Sequence, residues 1–115
     1  MQAVLQNLLQ KCPDAEAVAL MDPDGITVLV EPREYNVELL GAEMASIVGE
    51  MEEASHELQH GALRQLEVGT DTRKLLLTTI VEGYFLLLFM EAEAIGGRAK
   101  FFSRVAREAL YPELI

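Results

Sequence analysis

Two apolar runs of strand length lie almost back to back, over residues 75–81 and 84–90. Only Glu82 and Gly83 separate them, and two residues ending in glycine can close a tight β-hairpin. Neither run alternates polar with apolar residues, so both faces of each strand need cover. Each run is too short to span a bilayer. The sequence therefore predicts a buried hairpin at the centre of a sheet that has helices on both faces.

Apolar residues at helical spacing predict a short helix over residues 2–11 and a long helix over residues 37–59. Asn36 is a favourable N-cap of the long helix, and Gly61 is predicted as its C-cap. We expect the apolar residues of the long helix to form one core-facing stripe, namely Val37, Leu40, Met44, Ile47, Val48, Met51 and Leu58.

Three more strands complete the predicted sheet. Strands over residues 17–21 and 26–31 are joined by the turn Asp22–Gly25, in which proline presets one φ and glycine takes a positive φ. Residues 63–70 alternate apolar with polar residues, which predicts a half-covered strand at the sheet edge. The order α-β-β-α-β-β-β-α predicts one α+β domain over residues 1–115, with a mostly antiparallel sheet between layers of helices.

The last predicted helix runs over residues 98–110 and ends at Tyr111-Pro112. We expect its basic residues Lys100, Arg104 and Arg107 to line the outer face. Its apolar residues are predicted to pack inward, namely Phe101, Phe102, Val105, Ala109 and Leu110.

Acidic residues outnumber basic ones 19 to 9, giving a net charge of −10. No nucleic-acid partner is therefore expected through a broad basic surface. Between Glu31 and Glu57 there are eight acids and one base, whereas between Arg98 and Arg107 there are four bases and no acid. Two interpretations remain open: solvated helix faces of opposite sign, or a docking surface on one of them.

Three features that the sequence lacks bear on the cellular compartment: a second cysteine, a secretory signal and an apolar segment long enough to enter a membrane. Cys12 is the only cysteine, so no internal disulfide forms and a reducing compartment fits. No basic segment precedes an apolar stretch at the N-terminus. Glu82-Gly83 interrupts the apolar runs, so no membrane insertion is expected. We expect a cytoplasmic protein.

Small residues repeat every four positions along the long helix, at Gly41, Ala45 and Gly49. Glycine in a helix interior costs roughly 1 kcal/mol relative to alanine, so two such glycines suggest a packing reason. Either a second helix approaches this line closely, or the line sits over the sheet.

The segment His56-Glu57-Leu58-Gln59-His60 matches the H-E-x-x-H pattern of zinc peptidases. In that pattern two histidines one helical turn apart bind zinc, and the glutamate activates water. No third ligand is evident, and Gly61 places His60 at the end of the helix. The other interpretation is a polar helix end whose histidines complement the dipole.

Other chemical motifs are weak. Gly96-Gly97 precedes a helix and could receive an anion at its N-terminus, but there is no G-x-G-x-x-G pattern or P-loop. No serine stands in a nucleophile-elbow context. The sequence thus predicts no catalytic set, no cofactor and no metal.

As a whole, the pattern resembles the roadblock/dynein-light-chain family, in particular its bacterial MglB-like branch. The resemblance rests on four segments covering most of the chain: Ala17–Ile26, the long helix Val37–Gln59, the hairpin Arg73–Met90, and the loop Ala94–Gly97 entering the last helix. It implies a roadblock-type α/β/α sandwich with strand order 2-1-5-4-3. The long helix would cover one face and the other two helices the opposite face.

The resemblance also implies a function. Family members dimerise through their third strands and long helices, and they act as regulators or scaffolds of small Ras-like GTPases rather than as enzymes. We therefore expect a homodimer that binds such a GTPase, with or without stimulating GTP hydrolysis. The alternative is a zinc-dependent hydrolase using His56 and His60. The expected dimer interface comprises Gly41, Ala45, Gly49, Leu66 and Val68, and the expected partner-binding residues are Glu43, Glu50, Glu53 and Glu57.

Overall fold

The computed structural model describes every residue from Met1 to Ile115. Three helices and five strands follow the predicted order, and most bounds agree with the sequence prediction to within two residues. The elements are α1 (Gln2–Lys11), β1 (Ala15–Met21), β2 (Thr27–Glu31), α2 (Glu38–Glu57), β3 (Gln65–Gly69), β4 (Arg73–Thr79), β5 (Phe85–Glu91) and α3 (Gly96–Leu114).

The strands form one sheet of order β2-β1-β5-β4-β3, and every neighbouring pair is antiparallel. Two apolar clusters lie on its two faces. Leu5 of α1 and Leu110 of α3 belong to the first, whereas Met44 and Val48 of α2 belong to the second. The predicted sandwich, with one long helix opposite the other two, is confirmed. None of the three helices contains an apolar stretch of the length that a bilayer span requires.

The central hairpin is built as predicted. Residues 85–90 of β5 are all buried, so both faces of this strand are covered. Glu82 and Gly83 both have positive φ, at 49° and 89°, and the Tyr84 N–H donates to the Val81 carbonyl at 2.9 Å. Consecutive positive φ values match the right-handed twist of the flanking strands. The ladder nevertheless pairs Thr79 with Phe85, one residue away from the Thr79–Leu86 pairing that a two-residue loop alone would set, so the hairpin holds one extra residue beside its turn.

The C-terminus of α2 differs from prediction. Gln59, with φ 58°, takes the left-handed position that was expected for Gly61. The N–H of His60 donates to the Ser55 carbonyl at 2.9 Å, and that of Gln59 to the His56 carbonyl at 3.1 Å. This is a Schellman closure. Because its bonds satisfy the last helical carbonyls, α2 ends at Glu57.

The last helix continues beyond its predicted end. Pro112 lies in its final turn, where the missing N–H removes only one helical bond. Leu114 packs against the core, which favours continuation of the helix past the proline. The predicted inward face was only partly right: Phe102 and Leu110 pack into the core, but Phe101 and Val105 are 52% and 45% exposed, and Ala109 is exposed as well. The buried line carries mostly small residues, which let α3 approach the sheet closely: Ala99, Ser103, Ala106 and Leu110.

Candidate functional site

The predicted partner-binding glutamates lie on the outer side of α2. Glu43, Glu50, Glu53 and Glu57 are all exposed. Val37, rather than the predicted Asn36, is the N-cap of α2, but Asn36 still accepts a hydrogen bond from the Glu38 N–H at 3.3 Å and so satisfies one free donor where the helix begins. The four carboxylates project into solvent from one continuous helix. They form a negatively charged surface that we call the acidic face.

Beside its buried line, α2 has an exposed apolar flank. Met44 and Val48 are buried, but Ile47 and Met51, each three residues further on, are both 39% exposed. Residues three apart lie on adjacent parts of a helix surface. The expectation that Ile47, Met51 and Leu58 pack into the core was therefore wrong, since the helix contacts the sheet through a narrower stripe. We call Ile47 and Met51 the apolar flank.

The small-residue line of α2 does not have one single role. Gly41 is buried against the chain's own β1–β2 turn, where a Cβ would overlap the carbonyl oxygen of Gly25. A Cβ on Gly49 would meet nothing within 4 Å, and Gly49 is exposed. Ala45 is half-buried between them. Contact with Gly25 thus explains why residue 41 is a glycine, whereas no contact within the chain explains why residue 49 is one.

β3 is an edge strand, as predicted, and its backbone bonds alternate in direction. At its two ends, the Thr79 N–H donates to the Arg64 carbonyl at 3.0 Å and the Thr70 N–H to the Arg73 carbonyl at 2.8 Å. The register between these ends is unbroken, and in an antiparallel pair the residues whose N–H and C=O groups face the neighbouring strand alternate along the chain. The backbone groups of the even-numbered residues of β3 therefore point toward β4. The groups directed away from the sheet therefore belong to Gln65, Glu67 and Gly69.

The apolar residues of β3 lie on the same side of the sheet as α2. Leu66 is paired with Leu77 and Val68 with Leu75, and Leu66, Leu75 and Leu77 belong to the cluster beneath α2. Leu66, Val68 and Leu75 are only half-buried. The open edge of the sheet therefore carries an incompletely covered apolar strip on the face that also carries α2.

Glu67 points to the opposite face, toward the start of α3. Its carboxylate lies 3.5 Å from Nζ of Lys100 and 3.9 Å from Nζ of Lys74. A Cβ on Gly96, the first residue of α3, would come within 2.8 Å of Glu67 Oε2. Negative charge is favoured at a helix N-terminus. The Glu67 carboxylate therefore lies beside Gly96 at the start of α3, where the sequence offered an anion site.

The histidine pair does not have the geometry that the H-E-x-x-H pattern needs. His56 lies in the last turn of α2, but His60 follows the left-handed residue Gln59 outside the helix, so the two do not share a helix face. Both are exposed. No group of three or more His, Cys, Asp or Glu side chains is arranged to hold a metal ion. The zinc hypothesis thus gains no geometric support.

Cys12 is 4% exposed and belongs to the core on the α1 and α3 side. Burial raises the pKa of its thiol, with Arg98 opposing the rise and Asp14 adding to it. A buried neutral thiol behaves as a small apolar side chain. Cys12 is thus a packing residue rather than a nucleophile.

Sequence reasoning missed two features of these surfaces. The apolar flank was assigned to the core because its residues continue the helical spacing of the buried ones. Arg107 was assigned to the outer face, yet its guanidinium donates to the carbonyls of Thr79 and Ile80 at 3.0 Å each. No signal in one sequence separates an arginine that closes a strand end from one in solvent.

The fold is shared with solved structures of low sequence identity. A Roadblock/LC7 domain from Streptomyces avermitilis is 19% identical with a TM-score of 0.89, over 99% of this chain and 97% of that chain. The gliding protein MglB from Thermus thermophilus is 19% identical with a TM-score of 0.84, over 96% and 85%. A structure described as MglB with tetrameric arrangement is 20% identical with a TM-score of 0.85, over 96% and 85%.

No curated protein sequence matches the chain significantly. A family model does, and its description is the Roadblock/LC7 domain. The match covers residues 1–89, which includes the first two helices and four complete strands. With the strand order and the helix layers described above, this match assigns the family: the chain belongs to the Roadblock/LC7 domain family.

Proposed function

We propose that this chain is a cytoplasmic, non-enzymatic regulator or scaffold that forms a homodimer and binds a small Ras-like GTPase through α2. Membership of the Roadblock/LC7 family and the likeness of its fold to MglB support this role. An MglB structure with a tetrameric arrangement supports self-association in particular. The proposal includes the whole chain, residues 1–115, as one domain.

The observation that carries the proposal is the position of the apolar flank relative to the open edge of the sheet. Ile47 and Met51 are exposed on the helix that covers the face carrying the half-buried Leu66, Val68 and Leu75. An exposed apolar helix surface and an unpaired strand edge each favour association with another protein. Because they lie on the same side here, one partner can cover both. A second copy does so, because a two-fold axis beside β3 presents each surface to itself.

Pairing of β3 with its copy satisfies the outward backbone groups of Gln65, Glu67 and Gly69 and continues the sheet across two chains. Two glutamates near the axis would repel each other if they were free. Here Lys74 and Lys100 neutralise Glu67 in each copy. With strand and helix together, the interface should bury more than roughly 1,000 Å², which is enough for a stable dimer.

The acidic face remains outside this interface and supplies the surface for the GTPase. In the dimer two copies of Glu50 and Glu53 lie on neighbouring helices, which concentrates negative charge on one side of the molecule. A basic patch on the partner complements that charge and gains association rate from it. Holding the switch segments of a GTPase in one arrangement can regulate it without a residue supplied to the reaction.

Light scattering coupled to gel filtration tests the homodimer. We expect twice the chain mass of 12.7 kDa at micromolar concentration, falling toward the chain mass on dilution. A mass of 12.7 kDa at every concentration would rule out the homodimer.

Affinity capture from native cytosol tests the GTPase partner. Tagged protein is incubated with extract containing either GDP or a non-hydrolysable GTP analogue, and captured proteins are identified by mass spectrometry. Support requires that a Ras-like GTPase is captured in a nucleotide-dependent manner and that the purified pair binds directly. Single-turnover GTP hydrolysis by the pair then separates stimulation from tethering. Capture without any Ras-like GTPase in either state argues against the proposal.

A further inference from the structure

A polar cleft of about 550 Å³ lies between α3 and the start of the edge strand, on the face of the sheet opposite α2. All of its lining residues are polar or charged. We call it the arginine cleft, and its walls are formed by Arg64, Gln65, Thr78, Arg104, Arg107 and Glu108.

One wall of the arginine cleft is fixed by internal hydrogen bonds. The Gln65 amide Nε2 donates to Thr78 Oγ1 and to the Lys100 carbonyl, at 3.1 Å each. The Arg107 guanidinium donates to two carbonyls at the end of β4, and its side chain is 17% exposed. These bonds hold α3 against the two strands. The cleft is therefore preformed and needs little ordering to accept a ligand.

Two arginines in the cleft have no carboxylate partner. Arg64 and Arg104 are both exposed, and neither makes an ion pair within 4.0 Å, whereas Arg107 is paired with Glu108 at 2.8 Å. Arg104 donates to Gln65 Oε1 at 3.3 Å, which orients its guanidinium toward the cleft. The nearby Lys74 and Lys100 are already engaged by Glu67. The unused positive charge of this region is thus concentrated at two guanidinium groups.

We propose that the arginine cleft binds an acidic segment of a partner protein, with carboxylates of successive Asp or Glu residues received by Arg64 and Arg104. Guanidinium groups match carboxylates with paired hydrogen bonds. A phosphate group carries about −1.5 to −2 charge, and Glu108 in the wall opposes so concentrated a charge. In a run of Asp or Glu residues each carboxylate carries a single negative charge, so two of them fit the two separate guanidinium groups better than one phosphate does.

The acidic-segment site does not rest on the proposed GTPase role. The arginine cleft and the acidic face lie on opposite faces of the sheet, so both can be occupied at once. A chain with a net charge of −10 repels acidic ligands in general, and at physiological salt that repulsion is screened beyond about 8 Å. Binding of an acidic segment would therefore report the local cleft rather than the overall charge.

The test uses fluorescence anisotropy with a labelled peptide of six consecutive glutamates flanked by Gly-Ser, and a matched peptide with six glutamines. We expect the glutamate peptide alone to bind wild type. The double variant Arg64→Gln/Arg104→Gln should weaken its binding roughly tenfold or more. The control Lys11→Gln/Arg33→Gln changes net charge equally at exposed sites outside the cleft and should change binding less than about twofold. Thermal melting verifies that both double variants fold.

A second measurement needs no substitution. Titration of isotope-labelled wild type with the glutamate peptide should shift the backbone amide resonances of Gln65, Arg104 and Glu108 and leave those of α2 unchanged. Absence of binding, equal weakening in both double variants, or resonance shifts confined to other surfaces would overturn the proposal. A peptide with two phosphoserines that binds more than tenfold tighter than the glutamate peptide would overturn the choice of carboxylates.

Discussion

The backbones of Gly41 and Gly25 lie in direct contact, because the first turn of α2 is seated on the β1–β2 turn. A Cβ on Gly41 would overlap the Gly25 carbonyl, and Met21 Sδ would lie 3.3 Å away. Gly41→Ala should therefore lower the free energy of unfolding by roughly 1–3 kcal/mol. Gly49→Ala, with no atom within 4 Å, should raise it by up to about 1 kcal/mol. Urea denaturation at one fixed protein concentration measures the free energy of unfolding of both variants. If both substitutions raised it, or both lowered it, the close contact between Gly41 and Gly25 would be contradicted.

The outward donors of β3 are tested with Gly69→Pro. Proline removes the N–H that points away from the sheet and leaves the bonds to β4 intact. By symmetry two interchain hydrogen bonds are lost, so the dissociation constant of the homodimer should rise roughly tenfold or more. Gly69→Ala keeps the N–H and has open space for its Cβ, so it is the matched control. Sedimentation equilibrium compares the two, and identical dimer affinity would exclude β3 as the pairing edge.

The apolar flank is tested with Ile47→Lys/Met51→Lys. Both side chains are partly exposed, so the protomer should remain folded while charge enters the proposed helix–helix contact. We expect a monomer at micromolar concentration by light scattering. Gly49→Leu probes the opposite flank of α2 and should leave the dimer intact. The reverse outcome, a monomeric Gly49→Leu and a dimeric lysine variant, would place the partner helix on Ala45 and Gly49 instead.

The acidic face is tested with Glu50→Lys/Glu53→Lys. Reversal of two exposed charges should weaken GTPase binding, chiefly through a slower association rate, without unfolding the protein. Glu91→Lys/Glu93→Lys makes the same charge change outside α2 and serves as control. Surface plasmon resonance with the purified GTPase measures both rates. Unchanged association in the first variant would move the partner surface away from these residues.

The histidine pair is tested with His56→Ala/His60→Ala. Because both side chains are exposed at the C-terminal end of α2, the melting temperature and the dimer mass should be nearly unchanged. Zinc content of protein purified without added metal is measured by elemental analysis. Stoichiometric zinc in wild type, absent from the double variant, would restore the metal hypothesis.

The central hairpin was predictable because its signal is local. Residues 84–90 are apolar without interruption, and a run of this length after a turn glycine is typical of a strand covered on both faces. The turn at Asp22–Gly25 carries an equally local signal, and Gly25 has the expected positive φ of 81°. In both cases the chemistry of a few adjacent residues determines the backbone.

Packing between distant elements was not predictable in the same way. Ile47 and Val48 are neighbours of similar character, yet their burial differs because α2 touches the sheet along a narrow stripe. The Schellman closure at Gln59, whose φ is 58°, ends α2 at Glu57 before Gly61 is reached, and the residue type gives no sign that a glutamine takes that position. The arginine cleft combines residues of β3, β4 and α3, so no sequence window contains it.

The pairing of β1 with β5 has a consequence for how the chain acquires its structure during synthesis. Val18 lies opposite Leu88 and Leu20 opposite Leu86, so the most buried ladder joins the first strand to the last. A ribosome releases β1 long before β5, so the edge of β1 that pairs with β5 stays open in the interval, even after β1 has paired with β2. The β1–β2 and β3–β4 hairpins can form early, but the sheet closes only when residues 85–91 emerge. Folding should therefore be slow among small domains, because its decisive contacts span so much sequence.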